Sequence, residues 1–188
     1  LQRAIELGSV RGGSLWLLAR PQISHGTVLH KRAFRDAIYL RYLMEPPDIP
    51  ADCGCGKPFN TQHALSCLLG GYRGLMHNEL RDLYESLFKA AGFKVESEPV
   101  LLPLTGETFR LKSTNTDDYA RSDLKVLGFW NRMQQAFFDV TAISPIARST
   151  NSKSVKTLFQ QGENRKNREY RARVIQVDHG AFQPLVFV

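Results

Sequence analysis

Apolar residues recur at two different periods along this chain. Near the front, Gly26–Glu45 (GTVLHKRAFRDAIYLRYLME) sets Val28, Phe34, Ile38, Leu40 and Leu43 near helical spacing, with His30, Lys31, Arg32, Arg35 and Arg41 between them. Residues 1–45 therefore read as mostly helical, and Pro46-Pro47 ends the run. His77–Ala91 predicts an amphipathic helix with Leu80, Leu83, Tyr84, Leu87 and Ala91 on one stripe and Gly92 as terminator. Phe93–Leu104, Arg121–Phe129 and Gln135–Ser144 then predict three strands. Val155–Gln176 predicts a basic helix weakened at Gly162, and Phe182–Val188 a last strand. Consecutive strands with a helix on each flank predict a mixed α/β sheet rather than a repeating parallel fold.

Two stretches interrupt these patterns. Residues 46–60 (PPDIPADCGCGKPFN) concentrate Pro, Gly, Asp and Asn, which break regular structure. Residues 103–118 (PLTGETFRLKSTNTDD) are polar and turn-rich. The expected organisation is a helical segment at 1–48, a compact turn-rich knot at 49–72 and an α/β domain at 73–188.

Composition narrows the class. Hydrophobic residues at 43% and charged residues at 23% argue against wholesale disorder or a fibrous repeat. The longest apolar run, Ser14–Ala19, falls far short of the roughly 18 residues a membrane-crossing helix needs, so no membrane partner is expected. A net charge of +7 favours an anionic partner, nucleic acid before an acidic lipid surface. The chain opens at Leu1 with no Met, no basic leader and no apolar leader core. The expectation is an excised piece of a longer polypeptide, nuclear or intracellular and not secreted.

The 3 cysteines are too few for a disulfide scaffold. All lie within fifteen residues, where Cys53, Cys55, His63 and Cys67 follow the spacing C-x-C-x7-H-x3-C. Three thiolates and one imidazole complete a tetrahedral zinc shell, and a shell closed by four protein ligands is structural rather than catalytic. Gly54 and Gly56 let the backbone wrap tightly there. His63 and Cys67 are one helical turn apart, on one side.

Strand alternation puts Arg121, Asp123 and Lys125 on one face and Ser122, Leu124 and Val126 on the other. On the next strand, Phe137, Asp139 and Thr141 fall together. An acid inside an apolar run is costly to bury unless it is paired or bound to a cation. Asp123 and Asp139 are therefore candidate oxygen ligands for a divalent ion such as Mg²⁺ or Mn²⁺. Glu79, at the edge of its helix's apolar stripe, and Glu98 are candidate helpers. The bland alternative is a pair of strand-end acids bridged to Arg121. Residues 148–176 carry eight basic side chains (Arg148, Lys153, Lys156, Arg165, Lys166, Arg168, Arg171, Arg173) against Glu163 and Glu169. On an unbroken helix Val155, Phe159, Lys166, Tyr170 and Arg173 share a stripe, so Lys166 and Arg173 face the sheet. Lys166 then reaches the acids while Lys156, Arg165, Arg168 and Arg171 meet phosphates, or else these chains merely snorkel.

The order helix, three strands, helix, strand, with Glu79, Asp123 and Asp139-x-Thr141, resembles the PD-(D/E)xK restriction-endonuclease-like fold. A knuckle just upstream, followed by Arg73-Gly-Leu-Met-His77-Asn78, is similar to the carboxyl-terminal region of non-LTR retrotransposon polyproteins. So are the stretches CGKPFNTQHALSC, HNELRDL, QQAFFDVTAISP and HGAFQPLVF, and the resemblance covers about residues 25–188. It implies a reverse transcriptase upstream and metal-dependent cleavage of target DNA, giving a 3′ hydroxyl that primes reverse transcription. It also implies Asp123 and Asp139 as the motif's acids, Glu79 as an acid from the first helix, and DNA, with element RNA besides, as partner. Arg73, His77 and Arg121 join the expected nucleic-acid contacts. Ser122 stands where the motif has Pro, and Thr141 where it has Lys. Lys125 or Lys166 is expected to supply the missing amine, with Lys166 preferred. If neither does, the alternative is an inactive nuclease-fold binding module with a structural zinc.

Overall fold

The structure, a computed structural model, describes residues 2–69, 72–102 and 120–188. The turn-rich stretch expected at 103–118 lies outside the described residues. The chain divides into two compact units, Leu1–Arg73 and Gly74–Val188.

In the first unit, α1 (Gln2–Ser9) is followed by 3-10 turns at Leu15–Leu18 and Ile23–His25 and by α2 (Lys31–Arg41). The helix expected from Gly26 begins five residues later. Gly26, at φ 65°, ends the 3-10 turn in the left-handed region, and His30 caps α2 by accepting a hydrogen bond at Nδ1 from the Arg32 N–H. Glu45 ties this segment to α3 (Thr61–Ser66), accepting from the Thr61 N–H at 2.9 Å and its hydroxyl at 2.7 Å. Among the described residues of this unit, the buried apolar side chains are Ala4 and Cys67.

The second unit is mixed α/β. A four-stranded sheet runs β1 (Lys94–Ser97), β2 (Leu124–Leu127), β3 (Gln135–Ala142), β4 (Ala181–Phe187), in that spatial order. The first two pairings are antiparallel and β3–β4 is parallel. Helix α4 (Tyr72–Ala90) precedes β1. A helical crossover of α5 (Val155–Lys166), a π turn (Asn167–Arg171) and α6 (Ala172–Gln176) links β3 to β4. Strand β3 is buried from Ala136 to Thr141 because apolar side chains cover both its faces. Phe138 and Ala136 join Leu124, Val126 and Phe88 of α4 in one cluster, while Phe137 joins Leu101 and Val174 in another.

Several elements differ from the sequence pattern. Strand β1 stops at Ser97 because Glu98 takes φ 51°, a left-handed conformation no strand continues through. Strand β2 stops before Gly128, at φ 84°. Helix α5 runs through Gly162 without weakening. A Cβ there would stand 2.7 Å from Val186 Cγ1, so α5 lies too close to β4 at this glycine to admit a side chain without a shift. The interruption falls instead at the π turn. The stripe of α4 is also rotated from the expected one: Phe88 is buried and Tyr84 packs beside it, while Leu83 and Leu87 are about half exposed.

Candidate functional site

The knuckle is built from a tight hairpin and a helix end. Phe59 N–H bonds Ala51 C=O, Cys53 N–H bonds Lys57 C=O and Gly56 N–H bonds Cys53 C=O, with Gly56 at φ 78° closing the turn. That loop carries Cys53 and Cys55. Asn60 caps α3 by accepting from His63 N–H at 2.7 Å, which fixes His63 in the first turn. Cys67 follows at its C-terminal cap. The four ligand atoms lie within 4.8 Å of one another. Cys53 Sγ and Cys67 Sγ are 3.8 Å apart, and Cys55 Sγ is 3.2 Å from His63 Nε2. A disulfide would need about 2.05 Å, whereas zinc–sulfur bonds of about 2.3 Å at tetrahedral angles set S···S edges near 3.8 Å. The donor set and its spacing fit a metal ion such as zinc. Among the described residues this is the one group of three or more His, Cys, Asp or Glu ligand atoms gathered so closely.

The second site forms where β2 peels away from β3. Beyond Leu124 the ladder is completed by side chains: Ser122 Oγ donates to Phe138 C=O at 2.7 Å, and Asp123 Oδ2 accepts from Val140 N–H at 2.6 Å. The hydroxyl at 122 thus has a bonding task that a proline ring could not perform. Asp123 Oδ1 lies 3.0 Å from His77 Nε2 of α4. A carboxylate only accepts, so the ring carries a proton on Nε2. That bond, reinforced by the charges of Asp123 and Asp139, raises the His77 pKa above its ordinary value against the opposing effect of burial.

Asp139 sits at the centre of β3 with 3% of its surface exposed. Burial pushes its carboxyl up to about 7; Lys166 opposes the shift and the Asp123 charge adds to it. Lys166 Nζ, at the end of α5, stands 2.7 Å from Asp139 Oδ2. The contact is an ion pair, and that oxygen has no hydrogen bond of good geometry. The Lys166 ammonium also lies over the Tyr170 ring, 5.2 Å from its centroid. One residue earlier, Arg165 Nη2 donates to Thr141 Oγ1 at 2.5 Å. Two successive cations from α5 therefore reach two alternate residues of β3.

The other expected site residues lie elsewhere. Lys125 pairs with Glu96 on β1. Glu98 pairs with Arg81 and lies 3.5 Å from Arg121 Nη1, so it does not join the acids. Glu79 is exposed. At about 100° per residue it stands roughly 180° around α4 from Phe88, on the outer face. Arg73, Lys156, Arg165, Arg168 and Arg171 are exposed as whole residues. His77, also expected to meet nucleic acid, is bonded to Asp123. A helical signal for this was present: His77, Arg81, Tyr84 and Phe88 recur at i, i+4, i+7 and i+11.

Among the described residues, no helix is long and apolar enough to cross a membrane. No protein-family model matches the chain, and no curated protein matches it.

Proposed function

We propose that the α/β unit is a metal-dependent DNA endonuclease domain of the restriction-endonuclease-like class, preceded by a structural zinc knuckle, within a retroelement polyprotein. Its product is a 3′ hydroxyl from which an upstream reverse transcriptase region primes synthesis, in the nucleus or elsewhere inside the cell. One observation carries this reading: Asp139, buried on the central strand, is met by Lys166 at 2.7 Å with Asp123 bonded to the adjacent residue's N–H. Lys166 thus brings an amine to Asp139 although Thr141 occupies the motif's lysine position. The element order, with α4 before three antiparallel strands and a helical crossover to a parallel fourth, supports the same class.

Oxygen donors suit a hard divalent ion, and the buried Asp139 Oδ2 without a well-aligned hydrogen bond offers one. Asp123 and Asp139 would hold Mg²⁺ or Mn²⁺, which when bound acts as a Lewis acid on the phosphate and lowers the pKa of water. Val140 N–H and His77 fix both oxygens of Asp123, leaving their remaining lone pairs in one orientation. Lys166 offsets charge at Asp139 and holds an amine beside it. Arg165, held at Thr141, presents a guanidinium to the substrate's phosphate.

A second reading has its own support. The two acids already have His77 and Lys166 as partners, and no third carboxylate joins them among the described residues. The same fold would then bind DNA or RNA without cutting it. Nicking of supercoiled plasmid separates the two. The nuclease reading expects Mg²⁺- or Mn²⁺-dependent nicks in the parent and at least a hundredfold loss in Asp139→Ala. An Asp139→Ala variant that nicks as fast as the parent sinks the site, and binding without nicking by the parent favours the second reading.

A further inference from the structure

The crossover between β3 and β4 carries two adjoining depressions, of about 500 Å³ and about 530 Å³. Asn164 and Arg168 line both, so the two form one groove. Lys153 and Arg165 extend it at one end, Asn167 and Arg171 at the other. Asn164 belongs to the last turn of α5, and Asn167, Arg168 and Arg171 belong to the π turn that follows it. No Asp or Glu and no aromatic ring is among the lining residues. Arg165 is anchored to Thr141, two residues along β3 from Asp139. Arg165 thus ties one end of the groove to β3, and Asn167 and Arg171 carry the other along the π turn.

We infer that this groove is a track for the phosphodiester backbone of a nucleic-acid strand, which it grips without reading sequence. The chemistry selects the ligand. Four cations with no acid among the lining residues favour a polyanion. Arginine forks match phosphate oxygens in bidentate geometry. Without an aromatic platform the groove cannot stack bases, so it holds the backbone rather than splayed nucleotides. The inference rests on nucleic acid being the substrate, as proposed above, but not on cleavage. It revises the basic surface as read from sequence: Lys153, Asn164 and Asn167 enter it, and Lys156 lines neither depression.

The test is salt-dependent binding of the full zinc-loaded chain to a labelled random-sequence 20-base-pair duplex, without magnesium. Each phosphate contact contributes about 0.9 to the slope of log K against log salt. The triple variant Lys153→Gln/Arg168→Gln/Arg171→Gln is expected to lower the slope's magnitude by about 2 to 3. Lys156→Gln should leave it nearly unchanged, and unrelated duplexes should bind alike. Arg171→Gln alone, an exposed change, should lower it by about 1, and this keeps the test valid if the triple variant unfolds. An unchanged slope in Arg171→Gln and in a folded triple variant overturns the groove, as does an equal effect from Lys156→Gln. So does binding to anionic phospholipid vesicles that depends on these residues while duplex binding does not. A parent that nicks plasmid while the variants keep its slope removes the groove and keeps the nuclease. A parent that binds through the groove and never nicks does the reverse.

Discussion

Lys166 Nζ and Asp139 Oδ2 meet at 2.7 Å between the end of α5 and the centre of β3, with side chains 16% and 5% exposed. A pair so withdrawn from water is costly to form and costlier to break. Removing the ammonium alone strands a buried carboxylate, and such breaks cost about 3–5 kcal/mol. Lys166→Met should therefore destabilise the protein by about 3 kcal/mol at pH 8, and by less at pH 5, where Asp139 takes up a proton instead. Adding Asp139→Asn should recover much of the loss. Urea unfolding of the parent, both single variants and the double variant measures this coupling.

The pH dependence follows from the same burial. Asp139 titrates near 7 in the folded chain against an ordinary 3.8. Between about pH 4 and pH 7 the folded state thus holds a proton the unfolded chain has released, so this group makes stability fall as pH rises through that window. His77 acts in the same direction: its pKa is raised by Asp123, so its contribution is complete below its unfolded pKa and is lost as pH rises through the folded value. Asp139→Asn, without added magnesium, should show a flatter decline in urea midpoint from pH 5 to pH 8 than the parent. An equally steep decline would place the titration elsewhere.

Much of this was legible in the residues, and the failures have physical causes. The four ligands of the knuckle follow from spacing, because a metal shell demands side chains of fixed type at close intervals. Alternation in Ser122, Leu124 and Val126 foretells their burial, since a strand's period is rigid. The stripe of α4 was misread because Leu83 and Leu87 look like core, yet the sheet packs against Phe88, which is offset from them around the helix. The same rotation brings His77 to Asp123. The π turn has no sequence signature in Asn167–Arg171, and Glu98 gives no warning of its left-handed backbone. Both depend on tertiary packing.

Gly162 supplies a local test of packing. Alanine there gains helix propensity of about 1 kcal/mol, but its Cβ would meet Val186 Cγ1 at 2.7 Å and Ile143 Cδ1 at 3.0 Å. Overpacking of this kind costs about 1–3 kcal/mol. After that gain is subtracted, Gly162→Ala should come out destabilised by about 1 kcal/mol, read from thermal or urea unfolding. A more stable variant would mean that α5 is free to move off β4.

Zinc should matter most to the first unit, where among the described residues only Ala4 and Cys67 are buried apolar side chains. Metal analysis should find one zinc per chain, falling to none in Cys55→Ser or after chelation. Limited proteolysis should then cut within residues 45–69 first, because metal binding there supplies folding free energy the small core lacks. Unaltered resistance after zinc removal would assign that stability to the surrounding helices.

Calorimetric titration of Mn²⁺ into the zinc-loaded chain at pH 8 tests whether the two aspartates share one cation. Saturable binding in the parent, lost in both Asp123→Asn and Asp139→Asn and unaffected by Arg171→Gln, is the predicted result. A parent that takes up no Mn²⁺, or aspartate variants that bind it as tightly as the parent, would contradict the account.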